Sequence, residues 1–382
     1  MKNGFNVTRV YITACIGMSF YGIAFIVLGS VLPMLTLKYG LTELQSSSLV
    51  TLLTLGVLLA SLIFGPIVDR FGYKRLLVVS TALLGVGLLG LSSSDKLTAL
   101  QVCIFAIGLG GGVLNGETNA LVAEIYEGRI QASRLSFLGV CYGVGALVVP
   151  LVLSVLSKIY SYEFILRWTS FIVLLCVALF GATVFPEPKQ KQGFPIKDAL
   201  KLLKQPTLLV LSFILFFQSG LEGLFNNWST TFLTNGSIQH DKALLALTAL
   251  VLGMTLMRLL LSYLFRVVKI HQILCFGVAL VFIGMILLNY STSFAIATLS
   301  LFTVGAGLAG VYPIVIGRIG TIYREISGTA IGIALFVALS GNSILNYIMG
   351  RFNIEAFPVF LLICLAIQTL LMVVGRKHIS DN

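Results

Sequence analysis

Apolar runs fill this chain almost end to end, and most exceed the roughly 20 residues that a helix needs to cross a bilayer. Lipid offers no hydrogen bonds, so a backbone that passes through it repeatedly must be helical or close into a barrel. Barrel strands would read as alternating segments of about ten residues, a pattern that is absent. Composition agrees: 58% of the 382 residues are hydrophobic and 10% are charged, where a soluble domain carries about 25% charge. The expected class is an all-α polytopic membrane protein.

Twelve spans are expected, near 9–37, 44–68, 75–93, 97–125, 131–156, 163–185, 207–233, 243–266, 270–290, 294–321, 327–350 and 355–375. The longest polar interruption, 186–206, carries five Lys and four Pro and reads as a linker between two halves, 1–185 and 207–382. Its Asp-Ala-Leu-Lys-Leu-Leu-Lys portion has the pattern of a short amphipathic surface helix. The first eight residues are polar and the following run is too long for a signal h-region, so no cleavable leader is expected.

The net charge of +11 is explained by position. Lys38, Lys96, Lys158, Arg167, Lys242 and Arg351 fall on one side of the expected bilayer. Arg258 and Arg318 fall within spans, and the other 17 Lys and Arg fall on the opposite side. The positive-inside rule then puts both termini in the cytoplasm, at an inner or plasma membrane. Nucleic acid is not an expected partner; solute and membrane lipid are, with the chain acting as a monomer. The six Cys all sit in apolar runs and the three His at loops or helix ends. Neither set forms a metal-ligand or nucleophile pattern, so no enzyme, metal or cofactor is expected.

The halves look duplicated. At a constant spacing of 197, Leu55-Gly56 matches Leu252-Gly253, Gly87 matches Gly284, Gly108 and Gly110 match Gly305 and Gly307, and Ile125-Tyr126 matches Ile322-Tyr323. One gapless offset serves four regions, the signature of an internal repeat.

Between spans 2 and 3 lies Gly65-Pro-Ile-Val-Asp69-Arg70-Phe-Gly72-Tyr-Lys74-Arg75. Gly65 permits close helix approach, and Asp69 can accept from the free N–H groups of a helix terminus. Gly72 permits a tight turn, while Lys74 and Arg75 hold the loop at the cytoplasmic face. The pattern Gly-x-x-x-Asp-Arg-x-Gly-x-Lys-Arg resembles the loop between helices 2 and 3 of the major facilitator superfamily of secondary transporters. The resemblance implies two pseudo-symmetric six-helix halves, and for these residues a role as a conformational gate. Asp69 falls opposite Arg266 in the repeat, so the second copy of the motif is degenerate.

Ionisable residues at bilayer depth are functional candidates by default; here they are Glu117, Glu222 and Arg258, with Arg318 near a span end where it can snorkel. In span 4, Asn115 and Asn119 share a face. Glu117 lies about 200° around the helix from Asn115. The two asparagines can bind solute hydroxyls or join helices, and Glu117 can carry a proton or pair with a basic residue. In span 7, Gln218, Glu222, Asn226 and Ser229 form one stripe beside Trp228. Amides suit paired hydroxyls and an indole suits apolar C–H faces; the alternative is a polar helix–helix seam. In span 8, Arg258 shares a stripe with Thr248, Thr255 and Ser262, and Glu222 is its nearest acidic candidate. Span 11 adds Asn342 and Asn346, one turn apart.

The stretches around 115–119 and 218–228, with Gly29-Ser-Val-Leu-Pro33 and Gly310-Val-Tyr-Pro313, resemble the fucose–galactose–proton symporter branch of the superfamily. That implies a central cavity lined by spans 1, 4, 7 and 10. This branch carries an Asp in span 1 and a Glu at the position of Asn115. Here span 1 has no carboxylate and Asn115 cannot titrate, so Glu222 or Glu117 must carry the proton, or transport is uncoupled. The resemblance implies a secondary active transporter of a sugar or polyol, driven by a proton gradient, with Asn115, Asn119, Gln218, Asn226, Trp228 and Asn342 on the solute and Glu222, Glu117 and Arg258 in coupling. The alternative is a proton-driven drug or metabolite exporter, because Gly-Val-Cys-Tyr-Gly-Val-Gly-Ala-Leu-Val-Val-Pro in span 5 loosely resembles the glycine-rich motif of drug antiporters.

Overall fold

In a computed structural model, which describes residues 4–94, 96–156, 159–188, 201–236 and 238–379, the chain is helical throughout, with no strand among the described residues. The first half holds α1 (Val7–Tyr39), α2 (Glu43–Phe71), α3 (Tyr73–Ser93), α4 (Leu97–Ile125), α5 (Gly128–Leu156) and α6 (Tyr162–Gly181). The second holds α7 (Pro206–Asn235), α8 (His240–Val267), α9 (Ile270–Asn289), α10 (Phe294–Leu308), α11 (Val311–Ile322), α12 (Ser327–Met349), α13 (Phe357–Val374) and a short α14 (Arg376–Ile379). Among the described residues, twelve helical spans are long and apolar enough to cross a membrane, α10 and α11 together making the tenth. Linker residues 189–200, including Lys189, Lys191 and Lys197, lie outside the described residues, as does Lys2.

Local chemistry sets the helix ends. Asn6 accepts from the Arg9 N–H to start α1, and Gly40, at φ +61°, stops it in the left-handed region that glycine adopts without strain. Thr42 and Gln45 form a reciprocal capping box at the start of α2. Gly72, at φ +78°, turns α2 into α3 within a single residue.

The tenth span, expected near 294–321, runs from Phe294 to Ile322 and is built from two helices. Its hydrogen-bond ladder is interrupted at Ala309 and Gly310, although both keep right-handed helical dihedrals. Pro313 is the cause: it has no N–H for the Ala309 carbonyl and its ring crowds that group. Pro33, Pro66 and Pro150 sit inside unbroken helices.

The duplication extends from sequence to contacts. A Cβ on Gly56 would meet the Phe105 carbonyl, and one on Gly253 would meet the carbonyl of Phe302. Gly108 faces the Leu53 carbonyl and Gly305 that of Leu250. Gly87 faces Cys103 and Ile107; Gly284 faces Ser300 and Val304. Gly110 faces Ser80 and Leu84; Gly307 faces Gly277 and Val281. In every pair the partners are themselves 197 residues apart. The glycines are therefore the places where α2 and α3 cross α4, and α8 and α9 cross α10, too closely for any side chain.

By compactness the chain divides into two units. One comprises 1–125, 141–199 and 325–332; the other comprises 126–140, 200–324 and 333–382. Each therefore includes the opening turns of a helix from the other half of the sequence: α12 in the first, α5 in the second. Large apolar side chains cover the outward faces, such as Trp168, Phe171, Ile172 and Leu175 of α6, as lipid-facing helices require. The tenth span is the most enclosed, 78% buried, and α9 the least, 22%.

Candidate transport site

In the first unit, Asp69 is 2% exposed at the end of α2. Its Oδ1 accepts from the Gly328 N–H at 3.1 Å, and its Oδ2 from the Thr329 N–H at 2.8 Å and the Thr329 hydroxyl at 2.7 Å. The carboxylate thus satisfies orphan donors in the first turn of α12 and sits at the positive end of that helix. The approach is possible because residue 65 is glycine: a Cβ there would lie 2.5 Å from the Gly328 carbonyl oxygen. Gly72 closes the turn against Pro188, the Arg70 guanidinium lies over the Phe71 ring, and Lys74 and Arg75 are exposed.

Asn115 and Asn119 are both buried and share one face of α4, where Asn119 Nδ2 donates to the Asn115 carbonyl at 2.8 Å and side-chain oxygen at 3.1 Å. One turn before Asn115, Gly111 brings α4 against Ala24 and Tyr21 of α1. Tyr21 belongs to an aromatic group with Phe25 and Tyr142, centroids 5.9 and 5.3 Å from its own. Sequence reasoning passed over these rings, although the four-residue spacing of Tyr21 and Phe25 was a visible signal.

Glu117 points elsewhere. It is fully buried, its Oε1 accepts from Ser80 of α3 at 2.9 Å, and its Oε2 has no hydrogen-bond partner. No basic residue pairs with it among the described residues, which corrects the structural alternative drawn from sequence.

In the second unit, Gln218 is 2% exposed and engaged at both ends of its amide. Its Nε2 donates at 2.8 Å to the Leu308 carbonyl, beside the interruption in the tenth span, and its Oε1 accepts from Gln368 of α13 at 2.8 Å. The structure places it as a helix-joining amide. Four residues on, Glu222 is half-buried, and its backbone carbonyl accepts from Asn226 Nδ2 at 2.8 Å. Among the described residues, Glu222 and Arg258 form no contact ion pair. Arg258 is steered by α5: Ser136 donates to its carbonyl at 2.7 Å, and its side chain lies along Gly139, where a Cβ would sit 2.9 Å from Cδ. Arg318 Nε donates to the His378 carbonyl at 2.8 Å.

Further along α7, Asn346 of α12 collects a cluster. Its Oδ1 accepts from Asn227 Nδ2 and Trp228 Nε1, each at 3.0 Å. Its Nδ2 donates to the Asn342 side-chain oxygen and carbonyl, each at 2.8 Å. The hub amide is saturated, so the hydrogen-bonding capacity left over belongs to the Nδ2 of Asn342 and the Oδ1 of Asn227. Gly223 allows the approach, since a Cβ there would run into the Asn342 amide. The structure thus joins Trp228 and Asn342, both expected on the solute, through Asn346, which also holds Asn227; neither of these two was expected there. Ser229, on the expected stripe, is buried with its hydroxyl unpartnered.

Residues 14–346 match the family model described as Major Facilitator Superfamily. The chain belongs to the major facilitator superfamily. A glucose/mannose transporter, GlcP, of Bacillus subtilis is 22% identical over 354 residues, covering 88% of this chain and 87% of the relative. A TsgA homolog of Erwinia tasmaniensis is 27% identical over 184 residues. That alignment covers 46% of this chain and spans less than half of the relative's length. Among solved structures, the proton:xylose symporter XylE bound to 6-bromo-6-deoxy-D-glucose superposes with a TM-score of 0.79 at 16% identity, covering 98% of this chain and 96% of that one. FucP, solved in its outward conformation, gives 0.77 at 17% identity, covering 97% and 99%. At these identities the superpositions establish the fold. As a superfamily member the protein is an integral membrane transporter, not an enzyme. The glycine-rich stretch of α5 has a packing role in this fold: Gly145 lies against the Ser19 carbonyl, and Gly22 of α1 against that of Tyr142.

Proposed function

We propose that the protein is a secondary active transporter of a sugar or related polyol, working by alternating access and coupled to protons, with both termini in the cytoplasm. The observation that carries this reading is the Trp228–Asn227–Asn346–Asn342 cluster. An indole edge beside three amides offers an apolar face with donors and acceptors next to it, the combination a pyranose ring needs. In the first unit, Asn115, Asn119 and the Tyr21–Phe25–Tyr142 rings offer the same pairing. Gln218 is a secondary candidate, because binding solute would require it to give up two helix-joining bonds.

For coupling we assign Glu222 and Arg258. Glu222 is a carboxylate on the α7 stripe with Gln218 and Asn226, able to bind and release a proton. Arg258 is a basic residue of the same unit that lies within a span, so a solute that alters their relation can be tied to proton movement. Glu117 is the second candidate. A carboxyl proton donated from Glu117 to Ser80 would free the Ser80 hydroxyl for the Leu77 carbonyl, 3.2 Å away. The names of GlcP, XylE and FucP favour the same solute class. Proteoliposome uptake screened across monosaccharides, polyols and amphiphilic drugs tests the reading. Saturable uptake of one sugar or polyol is expected; transport of drugs alone would replace it with export.

A further inference from the structure

Between α9 and α13 lies a groove of about 540 Å³. Its walls are Leu274, Val278 and Phe282 from one helix and Met372 and Val373 from the other. Leu274 and Phe282 are eight steps apart along α9, roughly 12 Å of helix. One end of the groove differs in kind, because His271 and Arg376 stand there and no acidic residue lines it.

Several features make that end electropositive. His271 is the second residue of the 20-residue α9, whose first turn carries no acid and whose N-cap is Lys269. The positive end of the helix dipole therefore adds to the side-chain charges. Arg376 and Lys377 follow α13 directly and are exposed. The bond from Arg318 to the His378 carbonyl fixes α14, so that Ile379, 3% exposed, closes the groove beneath Arg376.

We infer that this groove is a binding site for one anionic glycerophospholipid, its phosphate between His271 and Arg376 and an acyl chain along Leu274, Val278 and Phe282. Bulk lipid is as apolar as the walls, so the groove cannot select by hydrophobicity; charge at the head end selects, as basic pockets between transmembrane helices do. The length of the apolar wall distinguishes a lipid from a free anion, which the head end alone would serve. In the orientation proposed above, the head end faces the cytoplasmic leaflet, where anionic lipids attract basic residues.

The test is native mass spectrometry of the full-length protein, equilibrated with mixed phosphatidylglycerol and phosphatidylcholine. Wild type should retain one phosphatidylglycerol in clear preference. The double variant His271→Gln/Arg376→Gln should lose that preference by roughly tenfold, while Lys204→Gln, a basic residue elsewhere in the same unit, should keep it. Val278→Trp should exclude both lipids by filling the groove, without changing any charge, and so tests the site independently. Unchanged preference in the double variant, or retention of lipid in Val278→Trp, would overturn the inference. So would displacement of phosphatidylglycerol by equimolar inorganic phosphate, since the site would then be one for free anions.

Discussion

Asn346 and Gln218 are chemically alike and do different work. Asn346 aligns an indole and two amides that retain unused hydrogen-bonding capacity; Gln218 spends both ends of its amide on neighbouring helices. Removing Asn346 leaves the Trp228 N–H and an Asn227 donor unaligned, but both residues are reached by water, so the loss falls on the solute they would be aligned for, at about 1–3 kcal/mol. Asn346→Ala should therefore weaken solute binding by roughly tenfold or more, with little loss of melting temperature. Gln218→Ala should do the reverse: it strands the Leu308 carbonyl and the Gln368 amide, lowering thermal stability while changing affinity less. Isothermal titration and melting curves on the two variants separate these roles. Equal affinity losses would restore Gln218 to the solute site. Gly223→Ala belongs to the same argument, since its methyl must displace Asn342; weakened binding in a folded protein is expected.

At the scale of elements, the α2–α12 junction is the most tightly specified. A short carboxylate holds two backbone donors and one hydroxyl of α12, and charge-assisted bonds of this kind contribute about 1.5–3 kcal/mol each. Asp69→Asn keeps the shape but turns one acceptor into a donor facing N–H groups. Hydrogen exchange in the first turn of α12 should accelerate and transport should slow, with solute affinity largely retained; unchanged exchange there would remove Asp69 from the gate. Most of this architecture was legible in the sequence. Apolar run length located the spans, and the 197-residue offset marked the glycines that recur in the second half, though their backbone partners came from the structure. The interruption in the tenth span was also written there, in Gly310 and Pro313, but hydropathy cannot see a missing N–H. The polar site was less legible. Helical spacing says which residues share a face, not which neighbour they reach, so it grouped Gln218 with Glu222 and left out Asn227 and the rings of Tyr21, Phe25 and Tyr142.

For the whole molecule, the central claim is that solute movement is tied to a proton on Glu222, with Arg258 as its counterweight. Arg258 is held by Ser136 and Gly139 of α5, so a shift of α5 would move the guanidinium relative to the carboxylate. A neutral amide at 222 can mimic the protonated carboxyl but cannot release a proton. Coupling should then fail while exchange survives, because exchange of internal for external solute needs no net proton release. Glu117→Gln should affect coupling less, since its carboxyl faces Ser80, away from the asparagine face of α4. The most direct measurement is uptake of the screened sugar into proteoliposomes under an imposed inside-alkaline pH gradient, paired with solute counterflow at equal pH. Wild type should accumulate solute above the external concentration and perform counterflow, whereas Glu222→Gln should perform counterflow without accumulation. Gradient-driven accumulation by Glu222→Gln at the wild-type level would contradict the account.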